Sequence, residues 1–274
     1  MPRTVALPAK PPPVPAAAAP IRQWRVLADR VAGPHKSKQC ADVFEVASPR
    51  LGAGPALVAV LADGAGSARL GAQGAHLAVK TLSKAVKRQL RLKYQRRSAQ
   101  QPAQLLDEAT LEHLFRDVRK ALWQLAAAKK QPQREVATTL MLAIVTPWAS
   151  AFAQIGDGAM VAMWQEEYRH VFWPDQGEYV NTTTFVSDRK WHLHCAWHAP
   201  VDRLALFSDG LQMLALDYAK HAAHQPFFAG LFRELVDRDV TTLAAPFRAF
   251  LTSDAVRQRT DDDVSLVLAA FVAL

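Results

Sequence analysis

The sequence predicts an α+β fold in which two stacked, mainly antiparallel β-sheets are flanked by helices, giving an α-β-β-α sandwich. Two observations lead to this prediction. Strand-like runs are grouped on either side of two consecutive long helical segments, whereas a doubly wound parallel sheet would alternate strands with helices. In addition, 50% of the 274 residues are hydrophobic, which is enough to bury one large core. We therefore expect two sheets packed face to face with helices outside them.

The first half of the chain contains three predicted strands and then two predicted helices. The strands, at residues 23–31, 43–47 and 56–62, are rich in apolar and β-branched residues, and the third is apolar throughout. The helices are predicted at residues 67–94 and at about 103–129, where apolar side chains recur at helical spacing. Pro102 and Pro132 follow them and mark their ends.

The second half returns to strands and closes with two helices and a last strand. Strands are predicted at residues 138–146, 148–155, 160–164, 182–186, 191–196 and 204–208. Helices are predicted near residues 218–236 and at 241–251, and the final apolar run begins at Val264. This order places most strands after the first helix pair.

Residues 1–20 are predicted to be a Pro/Ala-rich flexible tail, and residues 21–274 a single catalytic domain. The tail has too few large apolar residues to pack and too many prolines for a helix, and it lacks the Leu-rich segment of a signal peptide. No uncharged apolar stretch reaches the roughly 18 residues of a membrane span. Cys40 and Cys195 give no disulfide framework. We therefore expect a cytoplasmic protein without a membrane partner.

The net charge of +8 raises the question of a nucleic-acid partner. Much of the basic charge lies on the first long helix, where a solvated helix face is the ordinary explanation. Tyr94 is the one aromatic residue interleaved with this charge, so stacking on single-stranded nucleic acid is disfavoured. Docking of an acidic protein fits the segment better. Its basic residues are Lys84, Lys87, Arg88, Arg91, Lys93, Arg96 and Arg97.

Three apolar runs end at an Asp-Gly pair, with the aspartates at Asp63, Asp157 and Asp209, and the acidic residues 261–263 precede the last run. Each pair taken alone is an ordinary hairpin-turn signal. Their recurrence at strand ends favours a metal site instead, because Mg²⁺ and Mn²⁺ prefer oxygen ligands and rigid strands can hold such ligands in place. The chain is thus predicted to be a metal-dependent enzyme.

Six short motifs extend this acidic pattern, all in one order along the chain. They are Asp42 in CADVFEV, Asp63-Gly64-Ala65-Gly66, Ala137-Thr138-Thr139-Leu140, Gly156-Asp157-Gly158, Ser208-Asp209-Gly210 and Asp262-Asp263-Val264-Ser265. The set resembles the PPM or PP2C family of metal-dependent protein serine/threonine phosphatases, especially its divergent bacterial branch. The resemblance covers roughly residues 26–274. It implies the sandwich of two sheets and outer helices that is typical of that family.

The resemblance also implies a role for each matching residue. Asp63 would bridge two divalent ions, Mn²⁺ or Mg²⁺, and the carbonyl of Gly64 would complete one coordination shell. Asp209 and Asp262 would hold one ion of the pair, and Asp42 would order its water shell. Asp157 would help to bind a third, weaker ion. A water activated by the two metal ions would attack phosphorus, so no side chain is expected to act as nucleophile.

Several positions depart from the family pattern. Ser37 stands where an arginine usually grips the substrate phosphate, and the flanking Lys36 and Lys38 are the phosphate-binding residues that we predict in its place. Ala41 replaces an acidic or amide residue, and Ala65 replaces a histidine. These departures motivate an alternative function, a catalytically weak or silent pseudophosphatase that binds a phosphoprotein partner. A metal-dependent phosphatase of small molecules is a further alternative.

A zinc site is a rival interpretation of the segment around Cys195, which also carries His192, His194 and His198. Their alternation is that of a half-buried strand with polar side chains outward, and no CxxC or HExxH motif accompanies them. The surface-strand interpretation is therefore favoured.

The main functional hypothesis is metal-dependent hydrolysis of phosphoserine and phosphothreonine in proteins. The expected partner is a phosphoprotein substrate, either a cognate kinase or a target of that kinase. A nucleic-acid partner is not expected.

Overall fold

The computed structural model describes residues 22–34, 40–96, 105–174 and 183–273. Strands in these ranges are β1 (Arg22–Val31), β2 (Val43–Ala47), β3 (Arg50–Leu51), β4 (Gly54–Pro55), β5 (Leu57–Ala62), β6 (Leu140–Val145), β7 (Ser150–Ile155), β8 (Ala159–Trp164), β9 (Glu167–His170), β10 (His194–His198), β11 (Arg203–Phe207), β12 (Leu216–Asp217), β13 (Ala222–Ala223) and β14 (Val264–Ala273). The α-helices are α1 (Gly71–Tyr94), α2 (Glu108–Ala128), α3 (Gln212–Ala215), α4 (Gln225–Asp237), α5 (Val240–Leu251) and α6 (Asp254–Arg257).

Ten of the strands form two five-stranded sheets in which every neighbouring pair is antiparallel. The first sheet has the order β1-β14-β11-β8-β9, and the second has the order β10-β7-β6-β5-β2. The remaining strands pair as two short hairpins, β3 with β4 and β12 with β13. The prediction of two mainly antiparallel sheets is confirmed.

The hydrophobic core lies in three layers, as a four-layer sandwich requires. Helices α1 and α2 pack on the second sheet, and α4 and α5 pack on the first. A middle core between the sheets takes alternate residues of the central strands, including Leu57, Ala59 and Leu61 of β5. Val58 and Val60 of the same strand face the helices instead. Because both of its faces are covered, β5 is buried along its whole length, which explains its uninterrupted apolar sequence.

Strands β1 and β14 pair along all ten residues of each. Their register joins Arg22 to Ala273 at one end and Val31 to Val264 at the other. The second end adjoins the acidic residues 261–263, because Val264 begins β14 directly after them. The long pair therefore runs from the Arg22 end of the sheet to the end that carries the acidic residues.

Two of the predicted elements were wrong. The described part of the predicted strand at 182–186 is not a strand, and the helix predicted near 218–236 begins only at Gln225. The residues before Gln225 form the hairpin of β12 and β13. Within it His221 has a φ of 51°, a left-handed conformation that no α-helix accommodates. Strand β9 was not predicted.

The predicted tail, residues 1–20, lies outside the described residues, and so does Arg97 of the basic segment. None of the described helices combines the length and the apolar character that crossing a bilayer requires.

Candidate functional site

Strand pairing in the second sheet brings two of the predicted acidic residues together. Val43, the first residue of β2, pairs with Ala62, the last residue of β5. Asp42 precedes β2 and Asp63 follows β5, so both lie at the same end of these two antiparallel strands. Burial and proximity couple them, because the charge of Asp42 raises the pKa of Asp63.

Strand pairing in the first sheet gathers the other predicted acidic residues in the same way. Phe207 of β11 pairs with Ala159 of β8, and β11 also pairs with β14. The register then places Asp209 opposite Asp157 and beside the residues that precede β14, among them Asp262. The three carboxylates thus come from three adjacent strands of one sheet.

The acidic edges of the two sheets meet in an open cavity of about 160 Å³. Four carboxylates line it: Asp63 at the end of β5, Asp157 on the turn between β7 and β8, and Asp209 and Asp262 beside β11 and β14. Asp42 does not line the cavity, and its side chain is fully buried next to Asp63. The structure therefore brings together the aspartates that the sequence analysis singled out.

The backbone of Asp63 is fixed by two threonines that precede β6. The amide of Asp63 donates to Oγ1 of Thr139 at 3.0 Å, and its carbonyl accepts from Oγ1 of Thr138 at 2.8 Å and from the Thr139 amide at 2.9 Å. Both threonines are buried. The bonds join the end of β5 to the start of β6 and hold Asp63 at the cavity.

Gly64 allows helix α1 to begin close to this strand end. A Cβ on Gly64 would lie 2.5 Å from the carbonyl carbon and oxygen of Gly71, the first residue of α1. Gly64 also forms an isolated antiparallel bridge with Thr138. The chain thus turns from strand to helix within a few residues, as the Asp63-Gly64-Ala65-Gly66 motif predicts.

Asp157 is held at the turn between β7 and β8. Its carboxylate accepts from Oγ1 of Thr183 at 2.5 Å, and its carbonyl accepts from the side-chain amide of Gln212. Gln212 in turn accepts from the hydroxyl of Tyr218 at 2.8 Å. Gln154 completes the turn, since its amide donates to the carbonyl of Gly158 at 2.6 Å.

Asp263 does not line the cavity but lies next to Asp42 in the interior. Its two oxygens accept from the amides of Gly33 at 2.8 Å and Ala41 at 2.7 Å. These bonds connect the start of β14 to both ends of the segment between β1 and β2. Asp263 is 1% exposed, so it positions backbone rather than contacting solvent.

The site is electrostatically unfavourable without cations. Burial, together with the nearby charges of Asp157 and Asp262, raises the pKa of Asp209 to about 7. Burial and the charges of Asp42, Asp209 and Asp262 raise the pKa of Asp63 well above its usual value. Burial also raises the pKa of Asp42 to about 6. Carboxylates that resist ionisation because they are buried and repel one another gain most from a cation between them.

The donor atoms suit a hard divalent cation. The four acidic side chains of the lining offer carboxylate oxygens, which Mg²⁺ and Mn²⁺ prefer. Oδ1 of Asp209 is buried and accepts no hydrogen bond within the described part of the chain. A buried oxygen of this kind is costly unless a ligand reaches it. The residues present therefore fit a divalent metal centre.

Lys36 and Lys38, the predicted phosphate-binding residues, lie outside the described residues, as does Ser37. The flanking residues, Pro34 and Cys40, are described. The prediction for the two lysines thus has no structural test.

The rival zinc cluster around Cys195 does not form a ligand set among the described residues. Its imidazoles contact aromatic rings instead: His194 packs against His192 at 4.8 Å and against Phe172 at 5.8 Å, and His198 packs against Trp164 at 4.8 Å, measured between ring centroids. Among the described residues, three ligand atoms of His, Cys or acidic side chains lie within 4.8 Å of one another only at Cys40, Asp42 and Asp263. The surface-strand interpretation fits these contacts.

Sequence reasoning missed several residues that shape the cavity. Thr183 and Phe185 line it from a segment that was predicted to be a strand. Gln212 and Tyr218 support Asp157 from positions beyond the Ser208-Asp209-Gly210 motif. None of the four belongs to a motif or an apolar period, so only their position in the fold identifies them.

Comparison with known sequences points to one family. The sequence profile of the family "Protein phosphatase 2C" matches residues 35–251. The chain is also similar to serine/threonine-protein phosphatase 3 of Escherichia coli (strain K12). The two are 32% identical over 221 residues, which cover 78% of this chain and 84% of that protein.

Comparison with solved structures agrees in fold. The catalytic domain of serine threonine protein phosphatase PstP, crystallised with two manganese ions, has a TM-score of 0.61 and 16% identity, covering 92% of this chain and 99% of that one. RsbX, crystallised with magnesium, has a TM-score of 0.53 and 12% identity, covering 91% of this chain and 96% of that one. At these identities the similarity shows a shared fold.

Proposed function

The chain belongs to the protein phosphatase 2C family, and we propose that it hydrolyses phosphoserine and phosphothreonine in proteins with two divalent cations. The observation that carries the proposal is the single cavity in which Asp63, Asp157, Asp209 and Asp262 converge from two sheets. Carboxylates this close to one another are stabilised in their ionised form by bound cations, and one basic side chain could not neutralise all four.

We assign the metal-binding roles as follows. Asp63 would bridge the two cations, because it is the lining carboxylate that comes from the second sheet and faces the three of the first. Asp209 and Asp262 would hold one cation, and Asp157 would contribute to a weaker third site. The Gly64 carbonyl would complete a shell, and Asp42, buried beside Asp63, would orient the water around it.

Cations bound there would supply a water of lowered pKa and would neutralise charge on the phosphoryl group. The protein's own part is to fix the carboxylates. Thr138 and Thr139 fix Asp63, and Thr183 and Gln212 fix Asp157. Either Mn²⁺ or Mg²⁺ is supported, because related folds were crystallised with each.

We propose a phosphoprotein as the substrate, either a cognate kinase or its target. The name of the relative from Escherichia coli supports a protein substrate. The cavity is open rather than a closed pocket, which suits a phosphorylated side chain on a protein surface. Lys36 and Lys38 would bind the phosphate, each as a point charge.

The proposal is tested by replacing strand-end aspartates. Asp63→Ala and Asp209→Ala should each lower Mn²⁺-dependent hydrolysis of a phosphothreonine peptide by roughly a hundred-fold or more, because each removes a metal ligand. Asp202→Ala is the matched control, since Asp202 is a half-exposed carboxylate paired with Arg22 at the far end of the sandwich. Circular dichroism should show that all three variants fold. Unchanged hydrolysis in Asp209→Ala at saturating Mn²⁺ would contradict the proposal.

The alternative, a pseudophosphatase, is favoured by one specific observation. Ala41 contributes only its backbone amide, to Asp263, and offers no side-chain ligand at this position. The alternative predicts that a phosphothreonine peptide binds in the presence of Mn²⁺, as isothermal titration would record, with no turnover. Measurable turnover that disappears in Asp209→Ala would exclude it.

A further inference from the structure

Helix α1 carries a row of basic residues on the side that faces away from the core. The helix includes no acidic residue along its whole length. Its buried residues, such as Leu82, Val86 and Leu90, lie on one side. Basic residues recur at spacings of three and four on the opposite side, so their side chains lie along one stripe. We call this set the basic stripe, and its residues are Lys80, Lys84, Lys87, Arg88 and Arg91.

The charge of the basic stripe is largely unbalanced within the described part of the chain. Lys87 has a carboxylate partner, Glu45 of β2, whose Oε1 lies 2.6 Å from Nζ. The other four side chains form no hydrogen bond or ion pair with a described residue. Like charges three or four residues apart repel one another on a helix. Helix α2 has the mixed charge of an ordinary solvated face, since Arg116 pairs there with Glu112. The one-sided charge of α1 therefore favours a role in binding an anionic partner.

A second, independent feature at one end of the basic stripe is a cavity of about 310 Å³. Arg91 and Gln95 line it from the C-terminal end of α1, and Pro49, Arg50 and Leu51 line it from the region of β3. Both arginines are exposed, and Arg50 also has no carboxylate partner among the described residues. Guanidinium groups bind carboxylates through paired hydrogen bonds. Two of them at one concave site, beside apolar side chains, suit an acidic side chain that projects from a partner.

The length of the basic stripe indicates an extended ligand. From Lys80 to Arg91 the helix rises about 16 Å. A single carboxylate or phosphate does not span this distance, whereas about five residues of an extended chain do. Nucleic acid fits less well, because Tyr94 is buried and offers no ring for stacking. A bilayer also fits less well, because Leu92 is the large hydrophobic residue that α1 exposes and a concave arginine pair does not match a flat surface.

The basic stripe leads away from the acidic cavity. Helix α1 begins at Gly71, which contacts Gly64, the residue after Asp63. Arg91 lies about 30 Å further along the helix axis, at 1.5 Å per residue. An acidic segment bound at Arg91 is therefore well separated from the carboxylates of the cavity. A phosphorylated residue elsewhere in the same partner would reach the cavity only through an intervening stretch of chain.

We propose that the basic stripe and Arg50 bind an acidic segment of the phosphoprotein substrate. Binding of an acidic segment is a property of this surface alone, whereas its assignment to the substrate rests on the function proposed above. Such tethering raises the local concentration of the phosphorylated residue at the cavity and leaves the chemical step unchanged. It should therefore lower KM without altering kcat.

The binding is tested by fluorescence anisotropy with a fluorescein-labelled peptide of alternating Glu and Ser, about ten residues long. A chelator is present so that the peptide does not bind through a metal ion at the acidic cavity. Arg50→Glu and Arg91→Glu should each weaken binding about ten-fold or more, because each places a negative charge beside the carboxylates of the peptide. Arg91→Gln, which only removes a charge, should weaken it less. Circular dichroism should show that the variants fold.

Arg233→Glu is the matched control, because it makes the same change of charge on the other side of the sandwich. Arg233 is exposed on α4, which packs on the first sheet, and has no ion-pair partner among the residues that the structure describes. Its binding should stay within about two-fold of the wild type. Equal weakening in Arg233→Glu would mean general attraction to a chain of net charge +8 and would overturn the proposal. Undiminished binding in Arg91→Glu would also overturn it.

Competitors test the class of partner. An unlabelled single-stranded oligonucleotide and phosphatidylserine vesicles are each added at the same concentration of negative charge as the unlabelled acidic peptide. The peptide should displace the labelled probe best. Stronger displacement by the oligonucleotide or by the vesicles would overturn the assignment to an acidic protein segment.

The assignment to the substrate is tested by hydrolysis at saturating Mn²⁺. In two phosphothreonine peptides, a Gly/Ser linker of about 20 residues, with a root-mean-square span of about 25 Å, leads to either a Glu-Ser or a Gln-Ser segment. The acidic peptide should have a KM about five-fold lower or less, at equal kcat, in the wild type and in Arg233→Glu, and this difference should vanish in Arg91→Glu. Equal KM values in the wild type would show that the acidic segment does not belong to the substrate. If the protein shows no hydrolysis at all, the proposed function fails, and the anisotropy measurement still decides whether the surface binds acidic segments.

Discussion

Asp63 depends on a neighbour that the motif alone does not explain. Oγ1 of Thr139 accepts from the Asp63 amide, and both groups are shielded from bulk water at the junction of β5 and β6. A hydroxyl that satisfies a buried amide matters more than its modest net energy suggests, because its removal leaves the amide unsatisfied. Thr139 is thus a positioning residue for the proposed bridging carboxylate.

Thr139→Val should therefore weaken metal binding as well as stability. Valine has nearly the same shape but cannot accept the bond, so we expect a loss of about 1–3 kcal/mol in the free energy of unfolding. The Mn²⁺ concentration for half-maximal activity should rise by about ten-fold or more, since Asp63 loses a restraint. Urea unfolding and a Mn²⁺ titration of peptide hydrolysis measure the two effects.

Thr146→Val is the matched control for this substitution. Thr146 is equally buried and follows the opposite end of β6, where its hydroxyl accepts from the amides of Trp148 and Ala149. It should lose stability by a similar amount while its Mn²⁺ titration stays unchanged. A shift of the titration in both variants would mean that Thr139 has no positional role.

The sequence identified individual site residues only where an acidic residue stood at the end of a predicted strand. Asp63 and Asp209 stood out because each ends an apolar run, and the structure brings both to the cavity. Gln212 did not stand out, since a glutamine after a turn has many ordinary uses. Its bond to Asp157 depends on the packing of α3 against the β7–β8 turn, which local sequence does not encode.

The passage from β5 into α1 is the tightest connection near the cavity. The backbones of Gly64 and Gly71 approach so closely that neither position has room for a Cβ. Gly230, within α4, has no atom within 4 Å of the place where a Cβ would stand. Gly64 is thus required by the close approach of two backbones, whereas the space around Gly230 imposes no such requirement.

Alanine substitutions should separate these two glycines. Gly64→Ala should lower the free energy of unfolding by about 1–3 kcal/mol, because the new methyl group forces α1 away from the strand end. Gly230→Ala should raise it by about 0.5–1 kcal/mol, since alanine favours the helix. Urea unfolding of both variants checks the signs. A neutral Gly64→Ala would show that the α1 start can shift freely.

Prediction of elements succeeded where burial on both faces left one interpretation. The apolar run of β5 and the periodic face of α2 both correspond to the observed elements. Prediction failed at residues 182–186, where β-branched and aromatic residues suggested a strand. Thr183 and Phe185 look like strand residues, yet they cover the cavity, because β-propensity reports a half-buried surface rather than a sheet.

The acidic cavity joins the two sheets, since Asp63 follows a strand of one, Asp209 and Asp262 adjoin strands of the other, and Asp157 lies on the β7–β8 turn between them. Without cations, packing of the sheets forces these carboxylates together, and folding must overcome their repulsion. Metal binding and the stability of the fold are consequently coupled.

The metal-free protein should become less stable as the pH rises from about 5 to about 8. The pKa of Asp209 is about 7 in the folded protein, whereas an unfolded aspartate has a pKa near 3.9. Because the folded state keeps its proton to a higher pH, the free energy of unfolding falls as the pH rises through this interval. The loss should be on the order of a few kcal/mol, measured by urea unfolding with a chelator present.

Two comparisons isolate the cause of this pH dependence. Asp209→Asn should make it shallower, because an amide does not titrate, while Asp202→Asn, at the far end, should leave it unchanged. Saturating Mn²⁺ should also flatten it in the wild type. The same pH dependence in the wild type and in Asp209→Asn would show that Asp209 is not its origin.

The full pairing of β1 with β14 has a practical consequence for attaching other molecules to this protein. Arg22 and Ala273 stand side by side, and the ten residues of each strand carry them about 30 Å from the acidic edge. A fluorescent fusion, an affinity handle or a surface linker joined at either of these positions would start remote from incoming phosphopeptides. Two labels, one at each position, would begin as immediate neighbours and would report by energy transfer whether the edge strand β1 separates from β14.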